Sequence, residues 1–170
     1  MKTIAILVAD FYDDLELYYP FYRLQEEGWN VHLIGAIKQQ GYKSKHGMIA
    51  TSEFAAHEVQ PSSYDGLIIP GGFSPDYMRR SKEMVAFAKG FAQLKRPIAA
   101  ICHGPWLMAS VCDLKGRKLT SFYSIQDDLV HAGAIYVDAP VVIDGNYVTS
   151  RTPKDLPVFV KAFIGLVKGS

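Results

Sequence analysis

Short, wholly apolar runs alternate along this chain with segments whose apolar residues recur every three or four positions. Thr3 to Val8 is apolar between its ends and rich in branched residues, which predicts a strand buried on both faces. Leu15, Tyr18, Tyr19 and Tyr22 then follow at helical spacing, with Gly28 after Glu26 and Glu27 as the stop. Pro20 falls inside that pattern and is expected either to kink the helix or to mark its first turn. Asn30 to Gly35 reads as a second strand. The mixed stretch from Gln39 to Val59 suggests a small hairpin around His46-Gly47, and the turn cluster Pro61 to Asp65 closes it. Gly66 to Pro70 is the next buried strand, broken by Gly71-Gly72. Met84 to Leu94 predicts a helix with Val85, Ala88, Phe91 and Ala92 on one face.

Pro97 to Ile101 is a further strand, and Gly104-Pro105 opens a helix, because proline is favoured in a first turn. Ile125 to Ala132 predicts a short helix closed by Gly133. Ile135 to Val137, Val141 to Ile143 and Tyr147 to Ser150 read as strands, the last two joined across Asp144-Gly145-Asn146. At the final helix Thr152 is the expected N-cap, with Pro153 at N1 and Asp155 at N3 in the manner of a capping box. Leu156, Phe159, Val160, Phe163 and Val167 form its buried stripe.

Strand–helix alternation of this kind implies an α/β domain built on an open, mostly parallel sheet covered on both faces. The 170 residues fit one domain, 1–170, and no repeat, linker or low-complexity stretch interrupts them. Eighteen basic and seventeen acidic residues nearly cancel, and no Lys/Arg block exceeds two residues, so no nucleic-acid footprint is expected. The first apolar run, Ile4 to Ala9, is too short for a signal segment or a membrane helix, which points to a cytoplasmic protein. Two cysteines, Cys102 and Cys112, are too few for a disulfide framework and lack metal-ligand spacing; neither a metal nor another cofactor is expected.

In such sheets function gathers outside the carboxyl ends of the strands. Three segments lie there: Asp10 to Asp14, Gly71 to Asp76, and Cys102 to Pro105. Ala100-Ile101-Cys102-His103-Gly104 joins a strand directly to a helix with small residues flanking the cysteine, the pattern of a nucleophile elbow. A helix N-terminus favours the thiolate, so a lowered Cys102 pKa is expected, and amide hydrogens there bind an oxyanion. His103 is the nearest base, although consecutive side chains point apart and only a special turn brings the imidazole to the sulfur. His32, His46, His57 and His131 read as surface or hairpin residues, and Cys112 as structural. Gly71-Gly72 is either a plain turn or the source of a second oxyanion donor. The acidic cluster Asp10, Asp13, Asp14 and Glu16 serves either a helix N-terminus or a carboxyl–thiol contact.

Ile69-Pro70-Gly71-Gly72, Ala100 to Pro105 and Ser150-Arg151-Thr152-Pro153 together resemble the PfpI/ThiJ family of intracellular protease/amidase type, within the class I glutamine amidotransferase-like superfamily. Asp127-Asp128 and Ala132-Gly133-Ala134 fit the same pattern, and Pro70 to Asp76 is similar to bacterial general stress proteins of the group. The resemblance spans nearly the whole chain. It implies a flavodoxin-like three-layer sandwich with Cys102 as nucleophile, His103 as its partner, and Asp76 as an acidic residue supplied by a neighbouring subunit of a homo-oligomer. The implied oxyanion donors are the amides of Gly72 and His103. The family's Phe-Glu-Asp-x-Glu pattern aligns with Tyr12-Asp13-Asp14-Leu15-Glu16, which puts the family's protonated carboxyl at Asp13, one methylene shorter.

Three activities follow as expectations. The first is a cysteine-dependent stress-response enzyme on small reactive carbonyls, of glyoxalase III or deglycase kind. The second is a peptidase or amidase with an intersubunit Cys102-His103-Asp76 triad. The third is a non-enzymatic redox sensor or stress chaperone in which Cys102 is the oxidation site.

Overall fold

The computed structural model describes all 170 residues. Its central sheet has seven strands in the order β10-β11-β7-β6-β1-β2-β5. These are β1 (Thr3–Leu7), β2 (Asn30–Gly35), β5 (Phe54–Ala55), β6 (Gly66–Ile69), β7 (Ile98–Ile101), β10 (Val141–Asp144) and β11 (Tyr147–Ser150). All neighbours run parallel except β10 and β11, a hairpin turned through Gly145 and Asn146. The architecture is the flavodoxin-like α/β sandwich expected from the sequence.

Successive strand residues point to opposite faces, so a run apolar at every position needs cover on both sides. Ala5 and Leu7 of β1 enter one core cluster with Leu67, Ile69, Ile98 and Ala100. Helices α2 (Ser74–Arg80), α3 (Lys82–Gln93) and α4 (Pro105–Val111) cover that face through Met78, Met84, Phe87, Phe91, Leu107 and Met108. Ile4 and Ile6 enter the other cluster with Ile68, Ala99 and Ile101. There α1 (Asp14–Glu26) contributes Leu17 and Leu24, and α6 (Leu156–Gly169) contributes Phe159, Val160, Phe163 and Val167. The short α5 (Gln126–His131) buries Leu129 in the first cluster. No helix is long and apolar enough to cross a membrane.

Two local expectations are corrected. Most of the stripe that signalled α1 faces outward: Leu15, Tyr19 and Tyr22 are exposed and Tyr18 is half-buried against the core, while the buried face is Glu16, Leu17, Pro20 and Leu24. Pro20 lies well inside the helix, so it marks no first turn; lacking an N–H, it leaves the Glu16 carbonyl without its i+4 donor. At the last helix Thr152 makes no side-chain cap, and Pro153–Asp155 form a single 3-10 turn before α6. The Asp155 carboxylate is engaged by Arg151, at 3.0 Å, which competes with the capping role.

The hairpin of β3 (Gly41–Lys43) and β4 (Ile49–Thr51) stands where one was expected, around His46-Gly47. Three backbone amides sew it to the β1–α1 loop: the Phe11 N–H to the Lys43 carbonyl at 2.7 Å, the Lys45 N–H to the Tyr12 carbonyl at 3.0 Å, and the Lys43 N–H to Asp10 at 2.8 Å. This seam places the hairpin tip over the carboxyl edge of the sheet.

Candidate active site

β7 ends at Ile101 and α4 begins at Pro105, so three residues reverse the chain. Cys102 adopts φ +61°, a left-handed conformation that costs a residue with a side chain about 1–3 kcal/mol. The turn is fixed by the Cys102 N–H on the Ser150 carbonyl (3.1 Å), the Phe122 N–H on the Cys102 carbonyl (2.9 Å) and the Gly104 N–H on the Ile101 carbonyl (2.7 Å). A Cβ on Gly104 would lie 2.5 Å from the Ile69 carbonyl oxygen, so only glycine lets the elbow close against β6.

The backbone amides of His103 and Gly72 both aim at the Cys102 sulfur. Gly72 has φ +66°, and a Cβ there would fall 2.3 Å from the Phe11 carbonyl oxygen. The same carbonyl accepts the Phe73 N–H at 2.8 Å, so the β6–α2 turn and the β1–α1 loop lock together around the sulfur. Phe11 itself has φ +62°. Two strained non-glycine residues therefore flank one cavity, a pattern common at reactive centres.

The carboxyl that meets the thiol belongs to Glu16, not to Asp13. Glu16 is fully buried beside Cys102, and its Oε2 accepts the Gly71 N–H at 2.7 Å. Asp13 is the N-cap of α1: its Oδ1 accepts the N–H of Leu15 (3.0 Å) and of Glu16 (3.2 Å), and its Oδ2 holds Lys45 Nζ at 2.6 Å. The physical reason is helical geometry. The capping residue points its carboxylate back at its own helix, whereas N3, nearly one turn on, lies on the face turned into the sheet.

His103 does reach the sulfur, with Nδ1 3.3 Å from Sγ, because the left-handed turn at Cys102 rotates the next side chain back over it. Its Nε2 lies 3.2 Å from Ser124 Oγ. A proton on Nε2 donated to Ser124 leaves Nδ1 free to accept the thiol hydrogen. The ring stands between Phe122, stacked at 5.2 Å, and Trp106, edge-on at 5.2 Å, whose Nε1–H donates to Asp128 at 2.9 Å. Ser124 carried no sequence signal: it is one serine in a loop and becomes informative only once the fold brings it to Nε2. Asp76 sits in the first turn of α2, partly exposed and paired with Arg80. Within the chain the imidazole's second nitrogen is met by Ser124 rather than by Asp76.

Burial and the charge of neighbouring Asp13 push the Glu16 carboxyl up to about 8, so it is protonated at neutral pH. With Oε2 accepting from Gly71 and Oε1 lacking any hydrogen-bond partner in the protein, the proton belongs on Oε1. Burial and the Glu16 carboxylate push the Cys102 thiol up, against the opposing pull of the His103 and Gly72 amides. The lowered thiol pKa expected from the helix terminus is thus not the dominant effect. Desolvation of a cysteine only 9% exposed outweighs the dipole of a seven-residue helix. Burial and the Lys45 charge lower the His103 pKa, which keeps the imidazole neutral and basic. The arrangement is a neutral thiol with a ready proton acceptor and two amides facing the place where charge develops.

Cys102, Glu16, His103 and Gly72 line a cavity of about 380 Å³ with Phe11, Phe73, Phe122, Asp13, Lys45, Thr152 and Pro153. No group of three or more His, Cys, Asp or Glu side chains is arranged to hold a metal ion. Cys112, at the end of α4, is half-buried and unpaired.

Residues 2–166 match the DJ-1/PfpI family. The chain is 42% identical over 165 residues to Deglycase PYRAB04690 of Pyrococcus abyssi, covering 97% of this chain and 99% of that one. It is likewise 42% identical over 167 residues to YraA of Bacillus subtilis, named as a candidate cysteine protease, covering 98% and 99% of the two chains. Among solved structures it superposes at TM-score 0.94 and 35% identity on a two-domain protein from Anabaena variabilis with DJ-1/ThiJ/PfpI-like and ferritin-like domains. That match covers 97% of this chain and 48% of the longer one. Elbow, glycine turn and buried carboxyl thus occur in a chain that matches relatives along its whole length, and the protein belongs to the DJ-1/PfpI family.

Proposed function

We propose that this protein is a cysteine-dependent enzyme acting on small reactive carbonyl compounds, of deglycase or glyoxalase type, with Cys102 as nucleophile. The observation that carries the reading is the convergence on one sulfur of two backbone amides, a neutral imidazole and a protonated carboxyl. The name of the Pyrococcus abyssi relative supports it. So does the cavity, which is near the lower end of ligand-site volumes and sets three phenylalanines among its polar groups, dimensions suited to a few-atom carbonyl.

For methylglyoxal the steps follow from the parts. As Sγ bonds to the aldehyde carbon, the thiol proton passes to His103 Nδ1 and the carbonyl π electrons move onto oxygen. The Gly72 and His103 amides receive that oxyanion, and protonation gives a hemithioacetal. His103 then moves the proton from the former aldehyde carbon to the neighbouring carbon by way of an enediol, leaving a lactyl thioester. Water cleaves the thioester, releases lactate and restores the thiol; the net reaction adds one water. Glu16 stays neutral throughout, so it adds no negative charge beside the sulfur.

A peptidase with an intersubunit triad is the second reading, supported by the name of YraA and by the exposure of Asp76 toward solvent. It requires a homo-oligomer in which a partner carboxylate displaces Ser124 from His103. The test of the first reading is consumption of methylglyoxal by the purified protein beside Cys102→Ala. Turnover confined to the unaltered protein supports it, and equal rates in both reject it.

A further inference from the structure

The catalytic cavity carries one cation that the proposed chemistry has not used. Lys45 rides on the tip of the β3–β4 hairpin, and its N–H is tied to the Tyr12 carbonyl at 3.0 Å. Its ammonium bonds the buried Asp13 carboxylate at 2.6 Å and forms part of the wall shared with Cys102, Glu16 and His103. An ammonium has three donors, and the Asp13 oxygen takes one, leaving two without a protein partner. The charged and titratable groups around it are few. From α1 come Asp13 and Glu16, and from the elbow Cys102 and His103. The groove on the hairpin's outer side adds Asp10, Lys43 and His46, the last paired with Asp14 at 2.7 Å.

We propose that Lys45, held by Asp13, is the positioning cation of this site: it stabilises the negative charge that passes from the sulfur to the substrate oxygen. The proposal rests on Cys102 being the reactive thiol, but not on which carbonyl it attacks. Asp13 acquires a role different from the one expected of it, since one carboxylate both caps α1, which seats Glu16, and fixes the ammonium. The two members of the pair act on the sulfur in opposite senses. The cation eases ionisation of the thiol and the anion opposes it.

The experiment is the pH dependence of Cys102 alkylation by iodoacetamide, read at that residue by peptide mass spectrometry. Lys45→Met should move the midpoint upward by about 0.5–1 pH unit, a modest shift because the side chain is partly exposed. Lys45→Arg should restore it. Asp13→Asn, which keeps a capping side chain while removing the charge, should move the midpoint downward. Opposite shifts support the proposal. Unchanged midpoints, or shifts in the same direction in Lys45→Met and Asp13→Asn, overturn it and leave Lys45 as a tether for the hairpin. Because alkylation needs no substrate, a protein inert toward methylglyoxal would reject the proposed activity without affecting this result.

Discussion

Glu16 is buried beside the Cys102 thiol while its Oε2 accepts the Gly71 amide, so a single acid group stands at the nucleophile. The carboxyl is at home there only as an acid. Ionised, it would place a second negative charge in a dry cavity at the moment the sulfur needs to lose its proton.

That relationship sets a pH dependence of stability. The ordinary Glu16 value is 4.5 and the folded value about 8, so between them the unfolded chain releases a proton that the folded one keeps. This group's contribution to stability is therefore complete below pH 4.5 and is lost as pH rises to about 8, on the order of 5 kcal/mol. Glu16→Gln, which preserves an acceptor for Gly71 and a donor for the sulfur, should flatten that loss. Urea unfolding at pH 5 and pH 8 measures it; an unchanged slope against pH would show that Glu16 is not the group responsible.

Activity should follow a bell. The acid limb belongs to His103, whose lowered pKa puts protonation below its ordinary 6.5, and the alkaline limb to Glu16 near 8. In Glu16→Gln the alkaline limb should move up or vanish, while the acid limb stays within a few tenths of a unit. A profile of kcat/KM from pH 5 to 9 decides the matter.

Ser124→Ala tests the orientation of the imidazole. Loss of the Nε2 contact frees the ring to flip or to take the other tautomer, and one hydrogen bond of about 1 kcal/mol corresponds to roughly a five-fold drop in kcat/KM. KM should change little. A thermal midpoint lowered with kinetics intact would instead make Ser124 a structural contact.

Much of the fold was legible because it rests on strong periodicity. The unbroken apolar runs of β1, β6 and β7 announce strands covered on both faces, and the small residues around Cys102 announce the elbow. The misses have separate physical causes. Strands β5 and β8 (Lys118–Leu119) have two residues each, below any usable alternation, and α2 is one short segment opened by Ser74-Pro75. Glu16 could have been found: it is spaced four and eight residues from Pro20 and Leu24, the buried stripe of α1. The exposed stripe of Leu15, Tyr19 and Tyr22 masked that spacing, because hydrophobicity alone assigns such residues to the core.

Gly72→Ala should cost both fold and function. The added Cβ meets the Phe11 carbonyl oxygen at 2.3 Å in a backbone conformation that disfavours side chains, so destabilisation by about 2 kcal/mol or more is expected. The amide it carries would turn from the sulfur, and turnover should fall by about 10²-fold or more, the usual cost of an oxyanion donor. Turnover at the level of the unaltered protein would remove Gly72 from the oxyanion site.

The most direct measurement is methylglyoxal consumption with lactate formation, followed for the unaltered protein and for Cys102→Ala, whose fold is checked by circular dichroism. The geometry predicts stoichiometric lactate from the first and at least a ~10³-fold lower rate from the second. A folded Cys102→Ala protein that yields lactate at a rate comparable to the unaltered protein would contradict the assignment of Cys102 as the nucleophile.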